Sequence, residues 1–532
     1  MIVAIVLTKK TNEMILQDLA GILLSSLSFF AKDFFCLVCR NYKQLDKPGD
    51  NKSQSNFKEI TRSLKSITNV EVPNNDGYGT IPFQDTPQTS SVLKSFLNSI
   101  WTSVTILIAA LPLGLFATVL LFADLNTVNL CSEQIQHKAL RVDKAVLRWR
   151  LVGDVAEDSG LFFWFPSTMI FLFGWKQFKT NYVVLLLLCF SAYCVEVIIK
   201  LFLFIFNAHV ERKFYYHLPG NVCFFASILC SSYLMAVKIR KNGDFLIPPP
   251  KILIMATVCA QFIFAFIIGL TGRYFIIPAF TRLDDQFMKA IYAAITPVAT
   301  VIPVTVCRQF ALLSNVFPNS RNHFILAYFV YGATVIVYRV MQADVKNIWL
   351  FIGLSVLHGL VNVVGKATEK LRYKLWTRIF RALRRFRCCR RVQLQTHGSP
   401  YHQRLNADKE IQTMLYDYAA MILSQAYLTL YLLTNFQGNS WEVLQESLRR
   451  IAIGLGIDMF FNSFSILVRN YMYHIPVQKI WKKHWKVHMK ANAVTIAMTI
   501  WYFSTILLTV VQSRVDNSSN FVPRNCTASI NY

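Results

Sequence analysis

The chain has 532 residues, of which 54% are hydrophobic and only 16% are charged, and its formal net charge is +26. This composition excludes an ordinary soluble protein and indicates a chain that crosses a membrane several times. The lysines and arginines fall mainly between the apolar runs, as positively charged cytoplasmic loops require. We therefore interpret the charge as a determinant of topology and of contact with the anionic lipids of the inner leaflet, and we expect no nucleic-acid partner.

The N-terminal region, residues 1–97, precedes the membrane part. Residues 11–38 mix apolar and charged positions, which is typical of an amphipathic helix at the membrane surface. Residues 40–91 are rich in Asn, Ser, Pro and Lys and contain few large apolar side chains, so we expect them to be disordered. The whole region is predicted to be a cytoplasmic tail.

The rest of the chain predicts an all-α integral membrane protein, a polytopic bundle of about 10–11 transmembrane helices, because each span takes roughly 20 apolar residues. The first part of the bundle, residues 98–365, precedes a basic cytoplasmic loop, residues 366–411. The last part is residues 412–513, and residues 514–532 form a short C-terminal tail. The predicted spans are residues 99–123, 161–175, 182–206, 220–237, 251–277, 287–310, 323–341, 346–365, 414–434, 450–468 and 491–512.

Two independent features place the C-terminal tail on the extracytoplasmic side of the plasma membrane or of an endomembrane. Asn517 and Asn525 begin glycosylation sequons, which are usable only on the lumenal side. The breaks at residues 366–408 and 470–490 are the most basic of the chain and belong in the cytoplasm. Counting back from an outside C-terminus places both of them there.

The least regular predicted span is Leu161–Trp175, which is short and contains a proline. If it crosses the membrane, the N-terminal tail is cytoplasmic and residues 124–160 form an outside loop. Cys131 and Cys526 are then the two cysteines exposed to an oxidising compartment, and we expect them to pair. If the segment is re-entrant, the tail lies outside and the sequon at Asn51 is available.

The basic loop contains the clearest amphipathic pattern, Thr368–Arg391. Leu371, Leu375 and Ile379 recur at helical spacing on one face, while Arg and Lys occupy the others. We expect this helix to lie on the inner leaflet, with Cys388 and Cys389 as candidate palmitoylation sites. The alternative is that its arginines only enforce the topology.

Glu196 and Lys200 stand inside an apolar span at the spacing that favours an intrahelical ion pair. The pair is either a self-neutralised structural contact or a gate or proton relay, because ionisable groups within spans often mark functional paths.

Two further spans carry polar groups on one face. Asp458 is followed by Asn462 and Ser465, and His358 is followed by Asn362. These stripes face either a helix partner or water. The candidate residues of an ion, proton or substrate path are therefore Glu196, Lys200, His358, Asp458 and Asn462.

The segment Ala293–Arg308 contains Pro297 and Pro303, each of which removes a backbone donor. Secondary transporters place substrate and ion sites at such broken helices. The two prolines are a candidate hinge, and a plain kink is the alternative.

None of the common ATPase, hydrolase, metallopeptidase or dinucleotide-binding motifs stands in a suitable context, and we expect no catalytic residue, cofactor or metal. The broken helix and the buried ionisable groups favour a secondary transporter or channel for an unidentified solute or ion, with proton coupling as one form of it. A sensory or signalling receptor is the alternative. A membrane-embedded lipid-modifying enzyme, using His358 or Asp458, is the third hypothesis.

Overall fold

The computed structural model describes residues 92–131, 144–206, 214–242, 249–312, 322–383, 398–437, 439–473, 475–516 and 522–523. A short π-helical turn, Gly272–Ile276, joins the helix that ends at Thr271 to the helix that begins at Ile277. The helices are α1 Val92–Asn126, α2 Lys144–Phe173, α3 Trp175–Asn181, α4 Val183–Ile205, α5 Phe214–Asn242, α6 Lys251–Thr271, α7 Ile277–Thr281, α8 Gln286–Ala299, α9 Val301–Ala311, α10 Ile325–Asp344, α11 Ile348–Ala367, α12 Glu369–Leu383, α13 Pro400–Asn435, α14 Ser440–Tyr473 and α15 Val477–Asp516.

Nine stretches of the described residues are helical, long enough and apolar enough to cross a membrane. They are α1, α4, α5, α10, α11, α14, α15 and two composite stretches, α6 with α7 and α8 with α9. Large apolar side chains such as Leu187 and Ile302 are exposed on the outer faces of these helices, which is the surface that a bilayer covers. The prediction of a multi-pass α-helical membrane protein is therefore confirmed.

Helix α13, which contains the predicted span 414–434, lies in the centre of the bundle. It packs against α1, α10, α14 and α15, and most of its length is buried. Its polar side chains, among them Asp417 and Gln425, are almost fully enclosed by other helices. Because protein rather than lipid surrounds α13, it tolerates polar groups that lower its hydropathy below that of the nine apolar stretches.

Side-chain contacts fix the directions of the central helices. The hydroxyls of Ser103 in α1 and Tyr418 in α13 lie 2.8 Å apart, and Gly114 of α1 packs against Ile422 of α13, so the two helices run parallel. We call the end at which α1 and α13 begin the lower end, and the end at which they finish the upper end. Helices α10 and α15 also begin at the lower end, whereas α11 and α14 begin at the upper end.

Helix α2, which contains the predicted span 161–175, extends from the upper to the lower end. Arg150 donates to the carbonyl of Leu130, directly after α1. Near the other end of α2, Phe171 is contacted from the lower end of the bundle. The side chain of Asn322, which lies just before α10, donates to the Phe171 carbonyl. The predicted span therefore belongs to a continuous 30-residue helix, α2, and is not a short isolated element.

The predicted outside loop over residues 124–160 is wrong for much of that range. Asp124 still belongs to α1, and helix resumes at Lys144. Asp154 and Glu157 make the first half of α2 resemble a polar loop in the sequence, but their carboxyls face charged groups of neighbouring helices. A hydropathy pattern cannot separate such inward-facing carboxylates from exposed ones.

A two-residue strand, β1 Phe436–Gln437, follows α13 and pairs antiparallel with β2 Val522–Pro523. This pairing brings the chain beyond α15 to the upper end of α13. Cys131 follows α1 at the same end.

The amphipathic prediction over residues 368–391 corresponds to α12 as far as Leu383, where the described residues pause. Leu371 and Leu375 on its apolar face are exposed, as expected for a helix that lies against lipid. The palmitoylation candidates Cys388 and Cys389 lie outside the described residues, and so do Asn51, Asn517, Asn525 and Cys526.

Candidate functional site

A deeply buried ion pair joins α10 to α14 in the middle of the bundle. The Arg339 side chain is 0% exposed, and its Nη2 donates to both carboxylate oxygens of Asp458 at 2.8 and 2.6 Å. Its Nη1 donates to Gln342 at 2.9 Å. Breaking a buried pair of this kind costs about 3–5 kcal/mol, since one charge is left without compensation.

His358 lies beside this pair. Its ring stacks on Tyr338 at a centroid distance of 5.1 Å, and its Nε2 lies 3.1 Å from Nδ2 of Asn362 and 3.7 Å from Asp417. Tyr331 donates to the same carboxylate of Asp417 at 2.9 Å. The imidazole therefore sits between a carboxylate and an amide, in contact with α10 and α13.

The polar stripe on α14 faces other helices. Asn462 is buried against Tyr418, and Ser465 donates to Glu410 at 2.8 Å. A Cβ on Gly454 would lie 2.5 Å from Met421, so glycine permits the close approach of α13 and α14 there. The structure thus brings Asp458, Asn462 and His358 into one neighbourhood.

Glu196 and Lys200 lie elsewhere, on α4, whose main neighbours are α2 and α5. The predicted pairing of these two residues is wrong: among the described residues, the ion-pair partner of Lys200 is Asp158 of α2. The Glu196 carboxylate packs against Gly220 of α5, and its Oε2 has no described hydrogen-bond partner. A partner on an adjacent helix has replaced the one that lies four residues away.

Asp158 belongs to a group of five acidic side chains near the upper end, which we call the acidic cluster. Lys200 and Arg150 are the cations that interact with it. Within the described part of the chain, five carboxyls therefore face two cations in a site that neighbouring helices largely enclose. The members of the acidic cluster are Asp124, Asp154, Glu157, Asp158 and Glu196.

Two members of the acidic cluster have neighbouring carboxyls on different helices. The carboxyl of Asp124, at the end of α1, meets that of Glu157 in α2. Oδ1 of Asp124 and Oε1 of Glu157 are buried, and neither has a hydrogen-bond partner among the described residues. Two ionised carboxylates at close range repel each other, which favours a proton on one of them.

The remaining oxygen of Asp124 is held by neutral donors. Asn129 donates to Oδ2 at 2.9 Å, and the Ser504 hydroxyl of α15 also donates to it. Both donors are 2% exposed. This arrangement fixes one carboxylate oxygen of Asp124 and leaves the other without a described donor.

The helix that contains Pro297 and Pro303 is interrupted at Thr300, between α8 and α9. Side-chain hydroxyls donate hydrogen bonds to backbone carbonyls next to the interruption. Thr296 donates to the Tyr292 carbonyl at 2.9 Å, and Thr300 donates to the Pro297 carbonyl at 2.8 Å. The interruption was predicted from the prolines, and motion about it stays a prediction.

A second group of charges occupies the lower end and links α9, α11, α12, α13 and α14. We call it the basic network. It contains five cationic side chains and two carboxylates, an excess of three positive charges. Its members are Arg308, Lys366, Arg372, Lys409, Arg469, Glu369 and Glu410.

Each carboxylate of the basic network bridges two cations. Glu369 accepts from Arg469 at 2.5 Å and from Arg308 at 2.7 Å. Glu410 accepts from Lys366 at 2.5 Å and from Arg469 at 3.1 Å. Burial raises the pKa of Glu369, but Arg469 and Arg308 outweigh that effect and hold this pKa well below its usual range.

A cleft opens beside the basic network, between α9, α10 and α13. Arg308, Asn406, Lys409 and Gln412 contribute polar atoms to its wall, and Tyr328 contributes a ring. Helix α9, the second half of the interrupted helix, forms one side.

The sequence missed Asp124, Glu157 and Arg339. Arg339 lies inside the predicted span 323–341, so an arginine in an apolar run was the available signal. Asp124 and Glu157 lay in a predicted loop and gave no such signal. Within the described part of the chain, no group of three or more His, Cys, Asp or Glu residues is arranged to hold a metal ion.

Comparisons with protein-family models, curated proteins and solved structures give no match for this chain.

Proposed function

We propose that this protein is a proton-coupled secondary transporter. The observation that carries the proposal is the proximity of Asp124 and Glu157, two buried carboxyls on adjacent helices whose mutual repulsion favours a proton on one of them. Intramembrane carboxyls that gain and lose protons are the usual means by which a transporter couples solute movement to a proton gradient. The other members of the acidic cluster, together with Lys200, offer a path for that proton toward the exposed edge of α4.

The topology that we propose has eleven passes. In addition to the nine apolar stretches, α2 and α13 each run from one end of the bundle to the other, alongside helices that cross. Their lower hydropathy reflects inward-facing polar groups, which is the property that excludes them from a count based on composition. Eleven passes place the N-terminal tail and the C-terminus on opposite sides.

The lower end is the cytoplasmic end in this proposal. The most basic segments, residues 366–408 and 470–490, lie between helices that end or begin there. The upper end is then extracytoplasmic, together with the predicted glycosylation sites Asn517 and Asn525 and the predicted disulfide between Cys131 and Cys526.

Alternating access requires a part of the bundle that moves against the rest. The interruption at Thr300, between Pro297 and Pro303, is our candidate hinge, because α8 and α9 have no continuous helical hydrogen bonding across it. Helix α8 is tied to the upper end by the ion pair of Lys289 with Asp344, and α9 is tied to the lower end by Arg308. A bend at Thr300 changes the cleft without moving the upper end.

The Arg339–Asp458 pair is a closed barrier between the two ends in this proposal. Its charges satisfy each other, and the His358 imidazole, with Asn362 and Asn462, surrounds it. Opening the path requires this pair to separate or to exchange a partner, for which Asp417 is the adjacent carboxylate.

The test uses the purified full chain in liposomes that contain a pH-sensitive dye. Inward gradients of a neutral amino acid, a sugar, a dicarboxylate and inorganic phosphate are imposed in separate samples. We expect at least one solute to change the internal pH in a protein-dependent way. The rate of the internal pH change should fall at least about tenfold in Glu157→Gln, because proton transfer by a positioned carboxyl contributes a factor of that size or more to a rate.

Glu442→Gln is the matched control, since Glu442 is an exposed glutamate outside the acidic cluster. It should retain the wild-type rate. A solute that crosses at the same rate with and without a pH gradient, and at the same rate in Glu157→Gln, would contradict proton coupling.

A further inference from the structure

The cleft beside the basic network has a largely apolar and aromatic wall that also contains a few cationic and amide side chains. Two cationic side chains, Arg308 from α9 and Lys409 from α13, line it together with the amides of Asn406 and Gln412. Carboxylates are missing from its described wall, although two stand close behind it in the basic network. A cleft with this wall attracts negative charge and discriminates against cations.

Lys409 differs from three of the four other cations of the basic network. Arg308, Lys366 and Arg469 each have a carboxylate within ion-pair distance. Within the described ranges, Lys409 has no ion-pair or hydrogen-bond partner, and it is partly accessible. A free cation in an enclosed site with a positive excess is costly unless a negative group joins it.

The electrostatic surroundings of Lys409 support the same conclusion. Burial lowers the pKa of Lys409, and the neighbouring guanidinium groups of Arg308, Arg469 and Arg372 lower it further. Lys409 precedes the predicted crossing segment 414–434. A bound anion would offset both effects and raise this pKa again.

The guanidinium of Arg308 can contribute without leaving its present partners. Its Nη2 donates to Glu369 at 2.7 Å and to Asn406 at 2.9 Å. A guanidinium carries five N–H donors, so others remain for a ligand in the cleft. Arg308 also lies on α9, beyond the interruption at Thr300, so a bend there alters its distance to Lys409.

We propose that this cleft binds an anionic group, a carboxylate or a phosphate, between Lys409 and Arg308. The inference rests on the proposed transport function, in which the anionic group belongs to the transported solute. The same chemistry is offered by a small soluble anion and by an anionic lipid headgroup. The two sources are separated by the experiment.

Binding is measured on the full chain in phosphatidylcholine nanodiscs, as the rise in thermal midpoint with probe concentration. In the soluble arm, the probes are inorganic phosphate and succinate, with chloride at matched ionic strength to control for screening. In the lipid arm, no soluble probe is added and phosphatidic acid replaces part of the phosphatidylcholine. We expect a rise in one arm that chloride does not reproduce.

Lys409→Gln should weaken the apparent affinity for the effective probe by about tenfold or more, the usual effect of losing a charge-assisted hydrogen bond. Without the probe, the midpoint of this variant should equal or exceed that of the wild type, because a free cation has been removed. A lysine with a purely structural role would instead lower it. Lys346→Gln, an exposed lysine at the upper end, should leave binding unchanged.

The arms also identify the source. A rise with phosphate or succinate alone assigns a soluble anion, and a rise with phosphatidic acid alone assigns a lipid headgroup. The inference is overturned if no probe raises the midpoint, or if Lys409→Gln binds the probe as tightly as the wild type. Since this assay uses no gradient, anion binding without proton flux contradicts only the proposed function.

Discussion

The acidic cluster and the basic network both enclose several charges of one sign, but they compensate them in different ways. In the basic network, Glu369 and Glu410 each bridge two cations at 2.5–3.1 Å, so the compensation that exists there comes from permanent ion pairs, and an excess of three positive charges remains. In the acidic cluster, five carboxyls face two cations among the described residues, and we propose that Asp124 and Glu157 share a proton. The basic network is compensated in part by carboxylates of the chain itself, whereas in our proposal the acidic cluster is compensated in part by protons from solvent.

This difference assigns different properties to the two ends. Permanent ion pairs hold helices together and lose stability when either partner is removed. A shared proton can leave and return, and replacing its carboxyl by an amide preserves the hydrogen bond. The predictions below use this contrast, and they run from the largest expected change in stability to the smallest.

Glu410→Gln tests the permanent ion pairs. The amide cannot neutralise Lys366 or Arg469, so two buried cations lose their counter-charge. We expect the free energy of unfolding to fall by about 3–5 kcal/mol, measured as a lower thermal midpoint and a lower yield in detergent. Glu442→Gln is the exposed control and should change it by less than about 0.5 kcal/mol. A Glu410→Gln variant as stable as the wild type would contradict this account of the basic network.

The predicted disulfide tests how the upper end is held. Cys131 is disulfide-bonded, whereas the six other described cysteines carry free thiols. The β1–β2 pairing places the chain that leads to Cys526 at the same end. We expect Cys526→Ser to expose the Cys131 thiol to an impermeant alkylating reagent and to cost about 2–4 kcal/mol of stability.

Cys223→Ser is the matched control and should leave Cys131 unreactive. The pairing is wrong if Cys131 also stays unreactive in Cys526→Ser under non-reducing conditions.

Lys200→Met tests the partial compensation in the acidic cluster. Its ion pair with Asp158 is lost, but both side chains are partly exposed, at 20% and 16%. Solvent screening and proton uptake by the carboxyls limit the loss to about 1 kcal/mol at neutral pH. The loss should shrink at lower pH, where protons replace the lysine charge, and a thermal midpoint measured across pH checks this. A loss that does not depend on pH would contradict proton compensation.

Glu157→Gln should have the smallest effect on stability, within about 0.5 kcal/mol. The amide has nearly the same shape as a protonated carboxyl and donates to Asp124 in its place. The same type of substitution therefore has opposite consequences at positions 157 and 410. Equal losses at both positions would remove the distinction between the two regions.

Much of the helical framework was predictable from the sequence, because apolar runs of membrane length are a strong signal. Nine of the predicted spans are apolar helices in the structure. The polar first half of α2 was assigned to a loop because hydropathy carries no information about which side chains face inward. The interruption at Thr300 was predictable because the flanking prolines act locally.

The candidate site was only partly predictable. Asp458 and His358 were recognisable as polar residues in apolar runs, but Arg339, the partner of Asp458, lies 119 residues away. The helical spacing predicted an ion pair of Lys200 with Glu196, yet Lys200 pairs with Asp158 on another helix. Short-range rules describe an isolated helix, and packing against neighbouring helices decides between competing partners.

The most direct test of the account is infrared spectroscopy of the purified protein at neutral pH, since a protonated buried carboxyl has a C=O band that a carboxylate lacks. The account predicts such a band in the wild type, its loss in Glu157→Gln, and its retention in Glu442→Gln. A wild-type spectrum without a protonated carboxyl band, or a band that survives both Glu157→Gln and Asp124→Asn, would contradict the shared proton and the coupling that depends on it.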